Sequence, residues 1–159
     1  MERVATLEAA HADYAEDIAA WAGSQAALLR AGRFESIDVE NIAEEIESLA
    51  RSDRRALRSH LTVIIEHLLK LMFSPAADPR ALWRTSVINA RFAIRTITQE
   101  SPSLKRDLEP LIASVHDGAA GLAETSMERH GETERNIQRR LLATRLNPDQ
   151  ILGDWFPDA

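Results

Sequence analysis

Apolar side chains recur along most of this chain with the period of an α-helix, and no stretch alternates as a half-buried strand would. From Tyr14 they fall at Tyr14, Ile18, Trp21, Ala22, Leu28 and Leu29, with Gly32 following as a stop, which predicts a first helix over about 13–31. Ser36 or Asp38 can cap a second helix that keeps its stripe to Phe73, where Ser74-Pro75 ends it. Its early turns hold Glu35, Asp38, Glu40, Glu44, Glu45 and Glu47 with no basic residue, matching the positive end of a helix dipole. The polar run Arg51-Ser52-Asp53-Arg54-Arg55 is the expected place for a bend.

Asp78-Pro79 opens a third helix that runs through Trp83, Val87, Ala90, Ile94 and Ile97 to about Glu100. A fourth helical region over about 103–129 is expected to kink or divide at Pro110, and to be weakened at Gly118 and Gly121. After Gly131 a further helix is expected over about 132–146. Asn147-Pro148-Asp149-Gln150 then reads as a capping box before a short last turn into Trp155-Phe156. Residues 1–12 carry no clear period and read as a loose lead-in to a single domain over 13–159. The expected fold is an all-α bundle of about five helices with one long second helix.

Composition narrows the picture. With 159 residues, 45% hydrophobic, the chain is long enough for one sizeable core, and Ala, Leu, Arg and Glu lose little entropy in helices. The absence of cysteine excludes disulfides, thiolate zinc sites and a Cys nucleophile. No signal-peptide pattern or membrane-spanning run is visible, so a cytoplasmic location is expected. A net charge of −6 disfavours nonspecific binding to nucleic acid.

On a helical wheel of the second helix, Ile42, Ile46, Leu49, Leu57, Ile64, Leu68 and Leu71 form a continuous apolar face. Asp53, His60 and His67 fall in it at seven-residue steps, each about 10 Å from the next, and Asp38 and Glu45 extend the ladder along its edge. A polar seam on a buried stripe needs partners: groups on facing helices, water, a ligand or a metal. The spacing argues against one ion shared by His60 and His67, although His116 or a carboxylate from elsewhere could join one of them. There is no His-x3-His pair, and the one Glu-x2-His is Glu8–His11, in the lead-in. No metal or other cofactor is assigned.

Arg55 and His60 share the Arg-x4-His spacing of HEPN-type ribonucleases, where histidine acts as base and arginine stabilises developing charge. Here Arg55 falls on the polar side of the wheel. Arg80, Arg84, Arg91 and Arg95 form a basic stripe on the third helix, with no acid between the first and last. That stripe reads as a solvated flank, as internal pairing with the acidic start of the second helix, or as a surface for an acidic partner or nucleic acid, with pairing ranked above nucleic acid. No phosphate-cradling glycine loop and no nucleophile elbow occurs.

The run Leu28-Leu29-Arg30-Ala31-Gly32-Arg33-Phe34, then Asp38, Asn41 and Glu44-Glu45-Ile46-Glu47-Ser48-Leu49, together with His67-Leu68-Leu69-Lys70 and Gln150-Ile151-Leu152, resembles the bacterial family called domain of unknown function 29. The resemblance spans about 14–156 and departs at Leu71-Met72-Phe73, where family members often place an aromatic directly after the lysine. It implies a helical fold and transfers no activity. The resulting expectation is a noncatalytic helical interaction protein, with a protein partner or self-association. The alternative is a metal-dependent or HEPN-like enzyme working through the His60/His67 face.

Overall fold

A computed structural model describes residues 13–132 and 136–158, and every regular element among them is helical. Six α-helices follow one another: α1 (Ile18–Arg30), α2 (Val39–Phe73), α3 (Arg80–Glu100), α4 (Leu108–Arg129), α5 (Ile137–Ala143) and α6 (Pro148–Leu152). Tight 3-10 turns at Phe34–Ser36 and Pro102–Asp107 lead into α2 and α4. The expected lead-in over 1–12, with Glu8 and His11, lies outside the described residues, as do 133–135 in the expected start of α5.

Chain contacts divide the molecule into two compact units, 1–51 and 52–159, with the division inside α2. In the first unit, Asp17 caps α1 by accepting from the amide of Ala20 at 2.9 Å. The helix ends at Arg30, and Gly32 at φ 68° takes the left-handed conformation that suits glycine. Asp38 caps α2 by accepting from the Asn41 amide. Buried residues here are few: Trp21, Gln25 and Leu28.

The second unit holds the core. Leu57, Leu61, Ile64, Ile65, Leu68 and Leu69 of α2 meet Val87, Ala90 and Ile94 of α3 and Ala119, Ala123 and Met127 of α4. Leu141 and Ile151 close it from α5 and α6.

The helix α2 runs without a break through Arg51–Arg55, the run where a bend is expected and where the boundary between the two units falls. Two expectations need correction. Pro110 neither kinks nor divides α4: the helix starts at Leu108, which puts Pro110 in its first turn, where an amide has no acceptor to lose. Gly118 and Gly121 lie within α4, beside buried Ala119 and Ala120. The penultimate helix is shorter than expected, ending at Ala143 because Thr144 turns to extended backbone. At Asn147 the expected capping box forms with both of its bonds.

Candidate interaction surface

Polar residues at the start of α2 organise the first unit. Asp38 accepts from both the side chain and the amide of Asn41 and from Trp21 Nε1 at 3.3 Å, while its own amide donates to Gln25 Oε1 at 2.8 Å. The Asn41 side-chain bond, then its amide, holds the Asp38 carboxyl below the usual range. Tyr14 stacks edge-on against Trp21 and donates its hydroxyl to Glu45 at 2.6 Å. That bond, aided by burial and the nearby carboxylates, raises the Tyr14 phenol to about 12. These groups border a shallow cleft of about 420 Å³.

Beside this network the apolar positions of the unit face outward. Ile46 is 62% exposed and Leu49 70%, and Val39, Phe34, Ile18 and Leu29 are exposed as well. The apolar face read on the wheel therefore meets two environments. Leu57, Ile64, Leu68 and Leu71 are buried, Ile42 is half-buried, and Ile46 and Leu49 lie open.

Asp53, His60 and His67 are half-buried, at the border of the core stripe. A straight α-helix turns back about 20° for each seven residues, so this ladder drifts off the buried face as it descends. Asp53 accepts from Ser101 Oγ at 3.1 Å. His67 Nδ1 is shut from solvent with no well-formed hydrogen bond, and burial pushes the His67 pKa down, opposed by Glu66 and by the Val63 backbone, with Lys70 adding to the effect. Arg55 is exposed. Among the described residues, no group of three or more His, Asp or Glu side chains is placed to hold a metal ion.

The arginine stripe separates into different roles. Arg91 is 3% exposed and donates to three carbonyls: from Nε to Ile151 at 2.9 Å, and from Nη2 to Gln150 at 2.7 Å and Trp155 at 2.8 Å. Burial lowers the Arg91 pKa, opposed by Asp154. Arg84 reaches the Pro157 carbonyl, and both guanidinium groups lie over the Phe156 ring, at 4.8 and 4.9 Å. Arg80 donates to the Ser74 carbonyl, and Arg95 is exposed. Arg91 and Arg84 thus tie the segment after α6 to α3 through carbonyls and a ring.

Two groups carry more structure than their sequence context suggested. Lys70 is 5% exposed, with Nζ 3.3 Å from Glu66 and 4.8 Å from the centre of the Trp83 ring. It lines a cavity of about 260 Å³ with Trp83, Met127, His130 and Glu132. His116 is buried, with Nε2 2.7 Å from the Thr144 carbonyl and Nδ1 3.2 Å from Asp117, whose carboxyl this contact and Arg145 hold below the usual range. Neither the cleft nor the cavity is lined by His60 or His67.

No helix among the described residues is long and apolar enough to cross a membrane. No curated protein and no solved structure matches the chain. One family model does, over residues 14–155, and on that match the chain belongs to the domain of unknown function family DUF29.

Proposed function

We propose that this chain is a noncatalytic helical interaction protein of the bacterial cytoplasm, and that its first unit presents the binding surface. The observation that carries the reading is the open apolar face of α2, where Ile46 and Leu49 stand 62% and 70% exposed in a unit that buries little else. Neighbouring exposed apolar groups commonly mark interaction sites, because water contact at a continuous patch is unfavourable and a partner relieves it. The absence of cysteine suits a reducing compartment. The catalytic alternative finds no support in its own residues: Arg55 is exposed, and His60 and His67 line neither cavity described above.

The test compares affinity capture from source cells by the wild type and by the double variant Ile46→Asp/Leu49→Asp, with thermal melts of both. The expected result is proteins captured by the wild type and lost by the variant at an unchanged melting temperature. Identical capture by the two would overturn the reading. So would stoichiometric transition metal in protein purified without a tag, or RNA cleavage abolished by His60→Ala.

A further inference from the structure

We infer that the open face of α2 in the first unit docks a basic amphipathic helix; this rests on the interaction reading above and names the partner's chemistry. At about 100° per residue, Val39, Ala43, Ile46 and Ala50 fall within about 60° of one another, with Leu49 at the strip's edge. The row rises about 16 Å, three turns, and all five residues are exposed. Ala43 and Ala50 keep its centre low, so a second helix can approach closely between Val39, Ile46 and Leu49.

The occupant's form follows from what α2 offers. Past the first turn of α2 every amide and carbonyl of the strip is already paired within the helix, and first-turn amides point along the axis and not sideways, so no free backbone edge invites a strand. Side chains alone remain for recognition, which is how a helix lays its apolar face along another.

The occupant's charge follows from the borders. Glu40 and Glu47 flank the strip on one side, and Asp38 and Glu45 on the other. From Phe34 to Ala50 there is no lysine or arginine; Arg51, the next residue, pairs with Glu47 at 3.2 Å, and Asp38 and Glu45 accept hydrogen bonds from neutral groups of the unit, which leave their charge in place. Two copies of this face placed together would set these carboxylates against one another, so a second copy of the chain is the wrong mate. Anionic lipid and nucleic acid are repelled for the same reason. A helix with lysine or arginine beside its apolar row supplies opposite charge to a border where, among the described residues, only Glu47 has an ion-pair partner, Arg51.

The probe is a labelled synthetic peptide of about three heptads with Leu at the a and d positions and Lys at e and g, paired with a mate carrying Glu at e and g. Each is titrated into the full-length protein and followed by fluorescence anisotropy. The Lys peptide should bind at least about tenfold more tightly than the Glu peptide, and should weaken severalfold as salt rises from about 0.05 to 0.5 M. Ile46→Asp/Leu49→Asp should abolish binding. Glu40→Lys/Glu47→Lys should reverse the preference between peptides, with helix content by circular dichroism unchanged in both variants.

Equal binding of the two peptides, no binding of the Lys peptide, or a dimer of the wild type dispersed by Leu49→Asp would each overturn the inference. If the Lys peptide fails while the apolar variant still loses its cellular partners, the basic-helix assignment falls and the interaction reading stands. If the apolar variant changes neither peptide binding nor capture, both fall.

Discussion

The two units differ in how much they bury beneath an exposed apolar surface that both possess. Residues 52–158 direct Leu57, Leu61, Ile64, Ile65, Leu68 and Leu69 into a common core with α3 and α4 while leaving Leu82, Ile88 and Phe92 exposed, whereas residues 13–51 bury only Trp21, Gln25 and Leu28 among the described residues and leave Ile18, Leu29, Phe34, Val39, Ile46 and Leu49 at the surface. One continuous helix contributes to both. Apolar patterning therefore does not by itself assign a face to a core, because the same stripe can be buried in one stretch and open in the next.

The largest difference between the units should appear on truncating their leucines. Leu61→Ala or Leu68→Ala removes a fully buried side chain and should cost about 2–5 kcal/mol in denaturant unfolding, while Leu49→Ala should stay within about 0.5 kcal/mol. A comparable loss at Leu49 would erase the distinction.

Arg91→Ala comes next. It strands the carbonyls of Gln150, Ile151 and Trp155 and removes the guanidinium from the Phe156 ring, so a loss of about 2–4 kcal/mol is expected by thermal or chemical melting. Arg95→Ala, at an exposed neighbour on the same helix, should change little.

His67 sharpens the comparison within the second unit. A buried ring nitrogen without a well-formed hydrogen bond gains nothing for the fold, so His67→Leu should be neutral or stabilising by up to about 1 kcal/mol, where a well-bonded histidine would lose stability. Its folded pKa lies below the ordinary 6.5, so the unfolded chain takes up the proton first. Stability from the neutral ring is complete above about pH 6.5 and declines as pH falls below it. Melts of His67→Leu between about pH 7 and 5 should show a shallower decline than the wild type, and parallel curves would exclude this role.

The smallest effect belongs to the first unit and is spectroscopic. Tyr14 is the chain's one tyrosine, so its ultraviolet titration is free of overlap, with a midpoint near about 12. Glu45→Gln should bring that midpoint back toward about 10. Because the folded value is the higher one, the Tyr14–Glu45 contact is fully present below about pH 10 and is lost as pH rises through the titration. A midpoint unmoved by Glu45→Gln would show that the contact does not hold in solution.

Helix identity was legible in this sequence because period, caps and stops are local properties: Asp38 and Phe73 bracket α2, and Asn147 with Gln150 marks α6. Pro110 was misjudged because its effect depends on which turn it occupies, and the preceding 3-10 segment that sets the start at Leu108 has no clear period of its own. The site was less legible for a physical reason. Burial depends on what lies across from a residue, so a wheel could not separate Ile46 from Ile64, or show that Asp53, His60 and His67 drift to the border of the core. Nor could it show that His116 is a buried histidine bonded to the distant Thr144 carbonyl. The stripe of four arginines was visible, but carbonyl acceptors 59 to 64 residues away are invisible to any local pattern.

That sequence separation has a consequence for how the protein comes into being. The acceptors for Arg91 lie 59 to 64 residues after it, and at about 5–20 residues per second of synthesis they follow the arginine by several seconds. A nascent chain that has reached Leu146 holds nearly all of its core leucines, yet it offers this guanidinium none of the carbonyls that will enclose it. Completion of the second unit is thus deferred until residues 150–155 have been made, and shorter nascent chains expose a cation where the folded unit has a closed clasp.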